Sequence, residues 1–133
     1  MRKLVVTIGI VVALLGLVAC GGSSLPQSSL TIRNAATNAL ISASNAQGTI
    51  TLNVGNTLQI RVNRTYTNSQ GQTITDEVTQ FTNFVWESGA GAATIDQLGN
   101  ITGVALGIAV LQAKFRATSL DPWDICRVTV QVI

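Results

Sequence analysis

The sequence predicts an all-β sandwich, and three observations carry that prediction. From residue 29 onward the chain is dominated by Thr, Val, Ile, Asn, Gly and Ala, arranged in short alternating runs broken by Gly and Asn. No stretch sustains the i, i+3, i+4 spacing of an amphipathic helix beyond two turns. The runs recur at regular intervals with turn residues between them, so seven or eight strands can be placed.

In chain order, Leu30–Arg33 starts the sheet, Thr49–Asn53 runs along an edge, and Thr57–Asn63 alternates Leu58, Ile60 and Val62 against Gln59 and Arg61. Phe81–Trp86 is the next apolar run. Ala93–Asp96 and Asn100–Gly103 follow, joined by a tight turn at Gln97-Leu98-Gly99. Gly107–Ala117 places Ala109, Leu111, Ala113 and Phe115 on one face, opposite Gln112, Lys114 and Arg116. Ile125–Ile133 closes the domain. Two segments are less regular. Asn34–Ala46 is Ala-rich enough for either a short helical turn or an extra edge strand. Between Arg64 and Gln80, Thr65-Tyr66-Thr67 can pair with Thr73-Ile74-Thr75 around Asn68-Ser69-Gln70-Gly71.

Composition separates this domain from what precedes it. The chain has 133 residues, 47% hydrophobic and 11% charged, too apolar and charge-poor for an ordinary soluble domain. Residues 1–19 hold 14 of the hydrophobic residues, and the other 114 residues hold 48, a normal globular share. Arg2 and Lys3 account for the whole net charge of +2, leaving six basic and six acidic side chains after residue 19. A neutral domain carries no broad electrostatic footprint for nucleic acid. The chain has no His. That removes the usual general base, most zinc chemistry and Ser-His or Cys-His activation, and argues against an enzyme.

Two cations followed by sixteen uncharged residues, Leu4–Ala19, have the order of a secretory signal. As a helix those sixteen would span about 24 Å, short of a bilayer core about 30 Å thick. The stretch ends in Leu17-Val18-Ala19-Cys20-Gly21-Gly22-Ser23-Ser24, which resembles a bacterial lipobox and its flexible tail. The resemblance implies cleavage between Ala19 and Cys20, a diacylglyceryl group on the Cys20 thiol and acylation of the new N-terminus, with palmitate-type chains holding the protein at a membrane. Gly21, where Asp would retain the protein at the inner membrane, implies sorting to the outer membrane of a two-membrane envelope. The expected organisation is a signal peptide over 1–19, a lipidated tether over 20–28 and one domain over 29–133. With Cys20 lipidated, Cys126 is the remaining thiol and no intramolecular disulfide can form. Period-two alternation puts Cys126 with Val128, Val130 and Val132. It reads as an inert core thiol, the alternative being an intermolecular disulfide or a reactive group.

Four blocks resemble the group 2 bacterial immunoglobulin-like domains (BIG2) of intimin- and invasin-type adhesins and other envelope proteins. They are Leu52-Asn53-Val54-Gly55-Asn56-Thr57-Leu58-Gln59-Ile60, Val85-Trp86-Glu87-Ser88, Ala93-Thr94-Ile95-Asp96, and the run from Gly99 through Asn100, Ile101, Thr102, Gly103 and Gly107 to Ala113. The resemblance covers residues 50–133 and implies an immunoglobulin-like β-sandwich of seven or eight strands, with Trp86 as an inward anchor. It also implies a role as a repeated spacer or a carrier of an adhesive tip. A lone copy on a short tether fits the spacer role poorly.

In an immunoglobulin topology the loops after the second, fourth and sixth main strands share one end. Asp76 and Glu77 fall in the first, Asp96 beside the second, and Asp121 and Asp124 in the third, together with Trp123. The candidate binding surface is therefore Trp123, Asp121, Asp124, Asp96 and Asp76. It would either stack Trp123 on a sugar or protein groove or hold Ca²⁺ on carboxylates. Against it stands a reading in which Trp123 caps the core and the carboxylates pair with Arg61, Arg64, Arg116 and Arg127. No metal-binding pattern and no cofactor other than the covalent lipid is read from the spacing. The expectation is a membrane-anchored envelope lipoprotein whose single domain is a non-enzymatic binding or structural module, acting in protein–protein contact or adhesion. The alternatives are a carbohydrate- or Ca²⁺-binding surface domain, or an accessory subunit docking on an envelope complex by strand addition at Thr49–Asn53 or Ile125–Ile133.

Overall fold

A computed structural model describes residues 28–133. The expected signal peptide, cleavage at Ala19–Cys20 and lipid on Cys20, and all of the expected tether before Ser28, lie outside the described residues. The domain is an all-β, immunoglobulin-like sandwich of ten strands: β1 (Ser28–Asn34), β2 (Leu40–Ala43), β3 (Gly48–Leu52), β4 (Thr57–Thr67), β5 (Thr73–Glu77), β6 (Asn83–Ser88), β7 (Ala93–Ile95), β8 (Asn100–Gly103), β9 (Gly107–Phe115) and β10 (Asp124–Val132). One sheet has the order β2-β1-β4-β8-β7, with β5 also on β4; the other has the order β3-β10-β9-β6. Among the described residues no helix is long and apolar enough to cross a membrane.

The topology follows from alternation. Through the middle of β1, β4, β9 and β10 alternate residues are apolar, and those residues meet between the sheets: Leu30, Ile32, Ile60, Val62, Leu111, Val128 and Val130 are each at most 1% exposed. Phe84, Trp86 and Phe115 pack against this core from its margin. Cys126 is buried in it at 1% exposure, and burial pushes its thiol pKa up while a hydrogen bond with Ser42 opposes that shift. The inert-thiol reading of its alternation agrees with this placement. β3 runs parallel to β10, Gly48 opposite Val128 through Leu52 opposite Val132, while β1 lies antiparallel to β4. The first stretch of the domain is thereby laced into both sheets.

Several elements differ from the sequence expectation. The irregular Asn34–Ala46 segment forms the edge strand β2, not a helical turn. Its Ser42 is buried at 1% exposure; the hydroxyl donates to the Arg127 carbonyl and accepts the Gly48 N–H at 2.9 Å. The hairpin between Arg64 and Gln80 forms in the predicted register, Thr65 opposite Thr75 and Thr67 opposite Thr73, and it carries β4 four residues past Asn63. Phe81 is not in a strand: it ends a short 3-10 turn, Thr79–Phe81, and is 76% exposed, so β6 begins at Asn83. Thr79 and Thr82 bury their hydroxyls there, Thr79 accepting the Val62 N–H and Thr82 donating to the Val78 carbonyl. Ile125–Ile133 is not an edge, because β10 is flanked by β3 and β9; the edge strands of that sheet are β3 and β6.

Candidate functional site

Pairing register sorts the loops by height. Ser28 lies opposite Tyr66, and Asp124 opposite Phe115, so the start of β1, the β4–β5 hairpin and the β9–β10 loop (residues 116–123) share one end. The β7–β8 turn does not reach it. That turn is bonded to the lower half of β4, where the Ile60 N–H meets the Gly99 carbonyl at 2.8 Å. Six residues of extended chain separate Ile60 from Tyr66, about 20 Å. The structure thus brings Asp121, Asp124 and Trp123 together and leaves Asp96 on a shoulder of the sandwich.

Among the described residues every carboxylate but Asp76 is engaged at its own position. Asp124 accepts from the Arg64 Nε–H at 3.1 Å and from the Ser28 hydroxyl at 2.7 and 2.8 Å. Arg64 sits on the inward face of β4, in line with Ile60 and Val62, with its guanidinium 4.6 Å from the Tyr66 ring centroid and 5.5 Å from that of Phe115. A half-buried ion pair therefore closes this end of the core where an apolar residue would be half wet. Asp121 folds its own loop, accepting the Thr118 N–H at 3.1 Å. Asp76 is exposed on β5, opposite Arg64 in the ladder, and its neighbour Glu77 pairs with Arg61 at 3.5 Å. Asp96 accepts the N–H groups of Leu98 and Asn100, each at 2.9 Å, and the Asn100 side-chain amide. Those bonds, the Asn100 side chain first, hold its pKa below the ordinary carboxylate value. Glu87, far from this end, grips Arg127 at 2.9 Å and raises its pKa. Among the described residues no three His, Cys, Asp or Glu side chains gather to hold a metal ion.

Trp123 reaches the surface, as the candidate binding surface requires. It does not cap the core; it lies on the outward face of the β9 end, 39% exposed, with the Lys114 Nζ 4.8 Å and the Arg116 guanidinium 4.2 Å from its ring. The cause is alternation: Lys114 and Arg116 share the face opposite Leu111 and Ala113, and Trp123, one residue before β10, folds back over them. At the tip of the same loop Leu120 is 94% exposed. The loop is braced beneath it, Arg116 donating to the Ser119 carbonyl at 3.2 Å and the Asp121 N–H to the Thr118 carbonyl at 3.2 Å. Beside it opens a cleft of about 240 Å³ lined by Ser28, Arg64, Tyr66, Asn68, Asp121 and Pro122.

Arg61 and Arg64 pair with loop-end carboxylates, Glu77 and Asp124, as that reading expects, whereas Arg127 pairs with Glu87, outside the cluster, and Arg116 stacks on Trp123. Lys114, Leu120 and Ser28 are the members of this end that the sequence did not single out, and Arg116 was expected there only as a carboxylate's partner. The alternation of β9 already placed Lys114 and Arg116 together, but nothing local aligned them with Trp123. The chain matches no known family, curated protein or solved structure.

Proposed function

We propose that the chain is a bacterial envelope lipoprotein, anchored through Cys20, whose single immunoglobulin-like domain is a non-enzymatic binding or structural module. The observation that carries this reading is Leu17-Val18-Ala19-Cys20-Gly21-Gly22-Ser23-Ser24 after an uncharged apolar stretch, followed at Ser28 by the first strand of a closed sandwich. The strand order supports the likeness to group 2 bacterial immunoglobulin-like domains: β1-β4-β8-β7 in one sheet and β10-β9-β6 in the other correspond to ABED and GFC. Trp86 on β6, packed at the core margin, supports it too. The lipobox-like stretch at Cys20 is what supports envelope placement.

The test is the intact mass of the chain purified from bacterial membranes. The expected product begins at Cys20 and carries a diacylglyceryl group and an amide-linked acyl chain. A chain that keeps its first nineteen residues, or that begins elsewhere without lipid, overturns the reading. Cross-linking in intact cells should then capture an envelope protein reproducibly; capture of none disfavours the binding role.

A second reading, docking by strand addition, is favoured by β3, whose edge away from β10 carries no strand. Replacing Thr51 by Pro on that edge would abolish such docking and leave lipidation intact.

A further inference from the structure

We propose that the β9–β10 loop end is a membrane foot: Leu120 and Trp123 enter the headgroup layer of the bilayer that holds the lipid, and Lys114 and Arg116 bind its phosphates. This rests on the lipoprotein reading of Cys20. Eight residues from Cys20 to Ser28 reach at most about 28 Å even when fully extended. Ser28 is fixed at this end by its hydrogen bonds to Asp124 and by its ladder position opposite Tyr66. The tether therefore leaves the sandwich beside the 116–123 loop, and this end is the part of the domain held nearest the bilayer.

The chemistry of the end suits that position. Leu120, at 94% exposure on a braced tip, covers nothing in the domain. Trp123 offers an apolar ring with a polar edge, the form enriched at the water–membrane boundary. Lys114 and Arg116 stand over that ring at 4.8 and 4.2 Å, aligning two cations beside two apolar side chains. The acids at this end do not oppose the contact evenly. Asp124 is neutralised by Arg64, and Asp121 is turned toward the Thr118 N–H; Asp76, exposed on β5, lies off the loop. At the far end of the sandwich Val104, Leu106 and Ile108 are also exposed, yet the loops there carry no Lys or Arg. Nine residues of β9, about 30 Å, separate that end from the tether.

The experiment uses the lipidated chain reconstituted on the outside of phosphatidylethanolamine–phosphatidylglycerol vesicles doped with phosphatidylcholine brominated in the upper acyl chain. The Trp86→Phe form leaves Trp123 as the reporter, and the Trp123→Phe form supplies the Trp86 background if the first folds poorly. The foot predicts that Trp123 emission is quenched about twofold by the brominated lipid, that Leu120→Asp or a Lys114→Glu/Arg116→Glu pair removes the quenching, and that Leu106→Asp leaves it. Quenching no greater than the Trp86 background, with the Cys20 lipid confirmed by mass, overturns the foot and leaves the lipoprotein reading standing. Absence of the lipid overturns both. Loss of quenching in Leu106→Asp instead of Leu120→Asp assigns the contact to the far end and overturns the foot.

Discussion

Single residues hold this domain together where the apolar pattern is silent. Ser42 is fully buried, and its hydroxyl satisfies two backbone groups at once, the Gly48 N–H and the Arg127 carbonyl. Ser42→Ala leaves both without a partner and should cost about 1–3 kcal/mol, read as a lowered midpoint in urea with an unchanged slope. A serine in an Ala-rich stretch gives no such warning, because its role is set by residues 85 positions away. Asp124 shows the opposite case. Its position near a shared loop end was legible, but its service to Arg64 and Ser28 depends on how two sheets meet. Trp123 was singled out for its size in a turn-prone segment; its cation partners came from the face of β9 that packs nothing.

At the scale of elements, what could be read was what is local. The hairpin of β4 and β5 was visible because its paired stretch, Asn63 to Glu77, spans only fifteen residues, and β8, β9 and β10 followed from unbroken alternation. The β2 strand was not decided by its residues, since four of them beside an irregular register with β1 pair only through a long-range context. Phe81 looked like strand because it is apolar, yet the chain crosses between sheets there and leaves it outside. The β7–β8 turn depends on one backbone conformation. Gly99 has φ of +90°, and a side chain there would also be driven into the Ile60 carbonyl. Gly99→Ala should therefore cost about 1–3 kcal/mol from the dihedral alone and more from the contact, measured by chemical denaturation. Gly55→Ala, also at φ of +90° but in open space, should cost less, so the difference between the two isolates the contact.

For the whole molecule, pH sets two edges on stability. The Asp96 pKa is depressed in the folded chain, so its contribution is present above the ordinary carboxylate range and is lost as pH falls through the lowered value. The Cys126 pKa is raised, so its contribution is complete below the ordinary thiol range and is lost as pH rises toward the folded value. Denaturation midpoints should be flat from about pH 5 to 8 and fall on both sides; Cys126→Ala should remove the alkaline decline and Asp96→Asn should soften the acid one. The sandwich as a whole was legible in the sequence because alternation is a global pattern, while the gathering of side chains at its end was not, since register and strand length decide it. That same register governs how the domain carries a load. Ser28 and Ile133 lie at opposite ends, so tension between them runs along the strands. The seven bridges of β1 with β4 and the five of β3 with β10 are then strained side by side, like a lap joint, and must fail together. Force spectroscopy between the two ends should record one high-force rupture, not a stepwise peeling.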